Sequence, residues 1–206
     1  MRSGLTPKRI ADDVFEFDAD TPAEAQALSD VLRATGIAED VVAGLDRVAV
    51  RFDPSRLVEI ESWLTSIEPP IPSAESTLSP INIEIRYGGI HGPDFERACA
   101  ALKLSEDAFI EAHTAAVHTV AMIGFTPGFA YVSGLPRGFS TSRLDKPRPR
   151  VSAGSVGISS AYTGIYALNG PGGWPIIGHT NADLFCAEHD DPFLLMPGQR
   201  IRFRAI

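Results

Sequence analysis

Apolar and polar positions alternate with different periods in two stretches of the chain. Residues 10–17, carrying Val14, Phe15 and Phe17, predict a strand that runs into an Asp-rich turn. Thr21, Pro22 and Glu24 then have the order of a helix start: a capping hydroxyl, a proline at the first helical position and a carboxylate three residues after the cap. Ala25, Leu28, Val31 and Leu32 give that helix an apolar face, and Gly36 ends it. Two short strands, residues 37–43 and 47–52, flank Gly44, Leu45 and Asp46 as a hairpin. Asp53 and Pro54 open a second helix with Leu57, Ile60, Trp63, Leu64 and Ile67 on one side. The order β-α-β-β-α predicts helices layered on one face of an antiparallel sheet.

After residue 80 the pattern changes. Residues 81–87 alternate as a half-buried strand, residues 94–102 and 105–113 predict two short helices, and residues 116–123 predict another strand. Beyond them come short β-rich runs at 156–158, 164–168, 175–177, 182–185 and 200–205, punctuated by Gly and Pro, the pattern of a barrel or sandwich. Pro69, Pro70, Pro72 and Pro80 cluster between the two stretches, where they resist both helix and central strand. The predicted organisation is an α+β domain over 1–70, a Pro-rich linker over 71–80 and a β-barrel domain over 81–206. A single domain with a long surface loop is the other reading.

Composition narrows the function. The 206 residues are 44% apolar and 21% charged, so a globular core is expected. No run approaches the ~18 apolar residues of a membrane helix, and the basic start lacks the apolar stretch of a signal peptide; the cytoplasm is expected. The net charge of −8 and the absence of a concentrated basic patch argue against nucleic acid. Cys99 and Cys186 have no CxxC spacing and the five histidines no paired spacing, so neither a disulfide nor a structural metal is expected.

Candidate chemistry lies in the glycine-bearing loops. Gly124-Phe125-Thr126-Pro127-Gly128-Phe129-Ala130-Tyr131 is either a tight turn with an apolar plug or a place where backbone N–H groups approach an anion. Gly154 and Ser155, within Ser152-Ala153-Gly154-Ser155-Val156-Gly157-Ile158, allow a carboxylate or phosphate to come close, or mark a barrel corner. They do not form a Walker loop, and no GxSxG elbow is present. Thr163, Tyr166 and Trp174 follow on similar loops, Trp174 as the floor of a pocket or as core. His179 and Thr180 end a short apolar strand as a donor pair. For His113, a favourable interaction with the end of its helix is sufficient explanation.

In order along the chain, Tyr87-Gly88-Gly89, Gly92-Pro93-Asp94, His113-Thr114, residues 124–131, residues 149–158, Thr163-Gly164-Ile165-Tyr166, Pro171-Gly172-Gly173-Trp174, Ile177-Gly178-His179-Thr180, Leu184-Phe185 and Pro197-Gly198 resemble the allophanate hydrolase subunit 1 family. That family includes the B subunit of 5-oxoprolinase, a segment of the urea carboxylase carboxyltransferase region and a sporulation kinase inhibitor. The resemblance is strong over 81–206 and reaches 10–68 in layout only. It implies a ferredoxin-like α/β sandwich domain followed by a cyclophilin-like β-barrel. It also implies one subunit of a two-component amide-processing hydrolase, inactive alone, which with subunit 2 (the C subunit of 5-oxoprolinase) activates 5-oxoproline. ATP is the implied cofactor, with magnesium beside it; there is no biotin attachment site. The implied catalytic pair is His179 and Thr180; Gly154, Ser155, Thr163, Tyr166 and Trp174 are expected to bind substrate. The alternative is a regulatory module that inhibits a histidine kinase. Four positions depart from the family pattern: Ser152, Tyr162, His179 and Cys186. A neutral imidazole at 179 lacks the fixed cationic fork of an arginine.

Overall fold

The computed structural model of the chain describes residues 6–67 and 79–206. The chain divides into two compact units, Met1–Glu75 and Ser76–Ile206. The proposed linker 71–80 lies almost wholly outside the described residues.

In the first unit, β1 (Lys8–Ala11) and β2 (Val14–Asp18) form a hairpin. The single strand expected at 10–17 is therefore two, because Asp12 and Asp13 make the turn. Helix α1 (Pro22–Ala34) starts as the sequence predicts: the Thr21 hydroxyl accepts from the Glu24 N–H at 3.1 Å, and the Glu24 carboxylate accepts from the Asp20 N–H at 2.9 Å. Gly36, at φ +65°, ends the helical segment. β3 (Asp40–Ala43) and β4 (Arg47–Arg51) pair as the predicted hairpin, and a 3-10 turn at Pro54–Arg56 leads into α2 (Leu57–Ser66).

All pairings in this sheet are antiparallel, in the order β1-β2-β4-β3. Period-two alternation puts Phe15, Phe17, Val41, Val48 and Val50 on one face, where Leu28 and Leu32 of α1 and Ile60 and Leu64 of α2 cover them. Each such large side chain contributes about 1.5–3 kcal/mol by leaving water. The opposite face carries charge, including the Arg47–Glu16 pair at 3.2 Å. β1 is an exposed edge strand bearing Lys8 and Arg9, which discourages edge-to-edge pairing.

The second unit is a closed barrel in the order β10-β7-β6-β13-β5-β12-β9. Its strands are β5 (Ile81–Tyr87), β6 (His118–Ile123), β7 (Ala130–Ser133), β9 (Ser155–Ser159), β10 (Tyr162–Ile165), β12 (Ile176–His179) and β13 (Arg200–Ala205). The last strand inserts between β5 and β6, parallel to β5 and antiparallel to β6. A separate ribbon pairs β8 (Arg148–Val151) with β11 (Gly170–Gly172). Residues 182–185, expected as a strand, contribute only an isolated bridge from Phe185 to Phe193.

Ile83, Ile85, Val120, Val156, Ile158 and Phe203 fill the barrel interior. The helices α3 (Phe95–Leu102) and α4 (Glu106–Ala115) add Phe95, Cys99 and Phe109 to the same core. A second, outer cluster contains Phe129, Val151, Tyr166 and Ile176. This division into interior and exterior sorts the candidate residues.

Candidate functional site

Thr163 is set apart from Ser155 and His179, whereas Tyr166 is tied by backbone hydrogen bonds to both Gly154 and Ser155. Thr163 is fully buried, and its hydroxyl lies 2.8 Å from Nε2 of His113. That imidazole, also fully buried, meets the Tyr87 hydroxyl through Nδ1 at 2.6 Å and stacks on Phe203 at 4.5 Å. Nearby His118 donates from Nε2 to the His113 carbonyl at 2.9 Å. Burial lowers the pKa of His113 to about 3, with a further push from His118; burial also lowers that of His118 and raises that of Tyr87. His113 is thus a neutral, hydrogen-bonded core histidine. The end of its helix is not what holds it, and Thr163 belongs to its network.

Tyr166 and Trp174 lie on the outer face. Trp174 is 7% exposed and packs with Phe129 and Tyr131, at ring separations of 5.8 and 5.7 Å. A Cβ at Gly164 would lie 2.7 Å from both the Phe129 and the Trp174 rings. Glycine in the middle of β10 therefore makes room for the indole against the barrel wall. Tyr166 is almost fully buried beneath the β8–β11 ribbon, close to Gly172. These two side chains form a packed layer and not the floor of an open pocket.

The other four residues do converge. Gly154, at φ +81°, lies against His179: a Cβ there would fall 2.7 Å from the imidazole and 2.3 Å from the Thr180 carbonyl. Only glycine permits this approach. His179 and Ser155 face each other across β12 and β9. The β12 ladder is irregular between Ile176 and Gly178, and this bulge turns His179 outward, beside half-buried Arg86 on β5. Nε2 of His179 donates to the Ala153 carbonyl at 3.0 Å. Because a carbonyl only accepts, the neutral ring carries its proton on Nε2 and leaves Nδ1 as the free acceptor. The His91 ring is 6.0 Å away. Thr180 is turned inward, and its hydroxyl accepts from the Ala182 N–H at 3.2 Å to close a local turn.

Backbone N–H groups around Gly154 are already satisfied. Ala153 donates to the Asn169 side chain, Gly154 to the Tyr166 carbonyl, Ser155 to Ser152 and Thr180 to Gly154. An anion held by these amides, as the sequence suggests, has no donors left to meet. The loop at 124–131 is a turn closed by Phe129 N–H to the Thr126 carbonyl, with Phe125 exposed at φ +73°.

One interaction escaped the sequence. Asp94, 8% exposed, accepts both guanidinium nitrogens of Arg148 at 2.8 Å and the Ile176 N–H at 2.7 Å. It ties the start of α3 to the ribbon and to β12. The sequence signals were weak: Asp94 reads as a helix start, and Arg148 stands between Pro147 and Pro149. His91 and Arg86 carried no signal. Among the described residues, no group of three His, Cys, Asp or Glu side chains is placed to hold a metal ion.

A family model described as carboxyltransferase domain, subdomain C and D, matches residues 11–195. The B subunit of 5-oxoprolinase from Escherichia coli O157:H7 is 46% identical over 123 residues, which are 60% of this chain and 56% of that protein. The chain thus spans about half the length of the curated relatives it matches. Among solved structures, TTHA0988 superposes with a TM-score of 0.79 at 28% identity, covering 94% of this chain and 39% of that one. PH0987, a conserved uncharacterized protein from Pyrococcus horikoshii, is 31% identical with a TM-score of 0.60, covering 98% of this chain and 97% of that one.

Proposed function

The chain belongs to the family of carboxyltransferase-domain subdomains C and D, and on that premise we propose that it is one subunit of a two-component amide-processing hydrolase of the 5-oxoprolinase type. It acts in the cytoplasm on a small cyclic or linear amide, beside a subunit 2 partner. The observation that carries this reading is an incomplete site. His179 has a fixed tautomer with one free nitrogen, and among the described residues no carboxylate orients it. Ser155 is 7% exposed and lies across the ladder from it. A base held only by a backbone carbonyl, beside a hydroxyl that is nearly buried, does not make a hydrolase by itself. A second polypeptide that supplies the missing groups does, and the E. coli relative, itself a B subunit by name, supports that division of labour.

Here the substrate end is built by His179 and Ser155, with Gly154 and Thr180 holding their backbone. His179 receives or returns a proton at Nδ1. The order of the N-terminal sheet, with β4 between β2 and β3, supports a ferredoxin-like reading of the first unit, and the closed barrel supports a cyclophilin-like reading of the second. Among the described residues no group of three His, Cys, Asp or Glu side chains is placed to hold the magnesium that would accompany ATP. Nucleotide handling is therefore assigned to the partner.

Purified chain and subunit 2 are expected to co-elute, and only the mixture to consume 5-oxoproline with ATP. His179→Gln should lower kcat of the complex by about 10²-fold or more without separating the two proteins. Full turnover by the single chain would refute the reading.

A further inference from the structure

Arg86 is the direct cross-strand partner of His179 in the β5–β12 ladder, and His179 faces Ser155 on β9. Facing positions carry their Cβ atoms about 5 Å apart on the same side of a sheet. Three adjacent strands therefore present a guanidinium, an imidazole and a hydroxyl in one row. The loop after β5 adds His91, whose ring is 6.0 Å from that of His179. Arg86, His91 and His179 are each half-buried, neither inside the core nor fully hydrated.

Among the described residues, Arg86 and Arg200 are the half-buried arginines without a carboxylate partner, and Arg86 is the one that faces His179. Arg9, Arg33, Arg47, Arg51, Arg56 and Arg148 each lie within ion-pair distance of a carboxylate. Arg86 has neither an ion pair nor a side-chain hydrogen bond among the described residues, in a chain of net charge −8. Partial burial of an unpaired cation is unfavourable until an anion arrives. The neighbouring backbone N–H groups have partners already, so the recognition falls to side chains.

We infer that Arg86 and His91, grouped with Ser155 around His179, form a recognition site for an oxyanion, a carboxylate or a phosphate. This rests on the reading of the His179 end as the substrate site, and it identifies the charge by which a ligand is held there. The planar guanidinium fork matches two oxygens of such a group, and the His91 ring and the Ser155 hydroxyl supply further donors. A carboxylate would come from the amide substrate itself, a phosphate from a phosphorylated ligand.

The test is titration of the full chain, with histidine side-chain NMR as the readout. The probes are 5-oxoproline, its uncharged amide and inorganic phosphate. At least one anion should move the His91 and His179 resonances to saturation, and the uncharged amide should not. Arg86→Gln should weaken that binding by about tenfold or more with the thermal unfolding midpoint unchanged. His91→Gln, on the loop after β5, should weaken it less. Saturation by 5-oxoproline alone identifies the carboxylate, saturation by phosphate alone the phosphoryl group, and mutual competition a shared site for both. No response to either anion, or undiminished binding by Arg86→Gln, overturns the inference. Binding is read without turnover. A complex that hydrolyses its amide while ignoring Arg86 would refute this site and leave the two-component reading intact; anion binding with no turnover beside subunit 2 would do the reverse.

Discussion

His113 shows how far burial outweighs residue type. Its pKa is lowered to about 3, against 6.5 for the free group, because the charged form would sit in an apolar interior. Between those values the unfolded chain takes up a proton that the folded chain refuses. Stability is therefore full above about pH 6.5 and falls as pH drops toward 3, by a few kcal/mol in all. His118 is shifted in the same direction and adds to the same slope. Urea unfolding midpoints measured from pH 7 to 4 should fall more steeply for the natural chain than for His113→Gln; equal slopes would contradict this account. At Gly154 the backbone decides instead. Gly154→Ala places a methyl group into the Thr180 carbonyl at a positive φ, so a loss of about 1–3 kcal/mol is expected in chemical denaturation.

Trp174 belongs to the element scale. A buried indole set against Gly157 and Gly164 is a packing residue, and an interface anchor is the rival role to test. Trp174→Ala should cost about 3–5 kcal/mol of folding stability, seen in thermal or urea unfolding of the single chain. A variant of unchanged stability that fails only to bind subunit 2 would restore the anchor role. The Asp94–Arg148 pair links α3, the β8–β11 ribbon and β12. Arg148→Met leaves a nearly buried carboxylate without its cation. Faster amide hydrogen exchange in residues 148–151 and 170–172 than in β5 and β13 is the expected result.

Two compact units make up the whole molecule, and each has its own apolar cluster. A fragment spanning residues 79–206 should therefore unfold cooperatively by itself. Limited proteolysis of the full chain should cut first within the proline-rich residues 69–80; a first cut inside 120–180 would count against the division.

Local physics in the sequence was enough for the helices and for most strands, though not for the β1–β2 turn, β7 or the β8–β11 ribbon. Thr21, Pro22 and Glu24 satisfy the start of α1 from within a few residues, Gly36 supplies the left-handed turn that ends it, and strict alternation gives β5 its inner face. Gly154 and His179 could each be singled out, since a glycine-bearing loop and a strand-ending histidine are local signals, but their contact is set by the pairing of β9 with β12. Sites that depend on which strands become neighbours were not legible. Thr163 and Trp174 stand only eleven positions apart on similar glycine-bearing segments, yet barrel closure sends one side chain to the interior and the other to the outer wall. A one-residue bulge in β12 reverses the face of His179, and period-two reasoning cannot register an insertion that only pairing with β9 defines. Arg86 comes to face His179 because β12 pairs with β5 across about 90 residues of intervening chain, a proximity set by the closed barrel and by nothing within either strand.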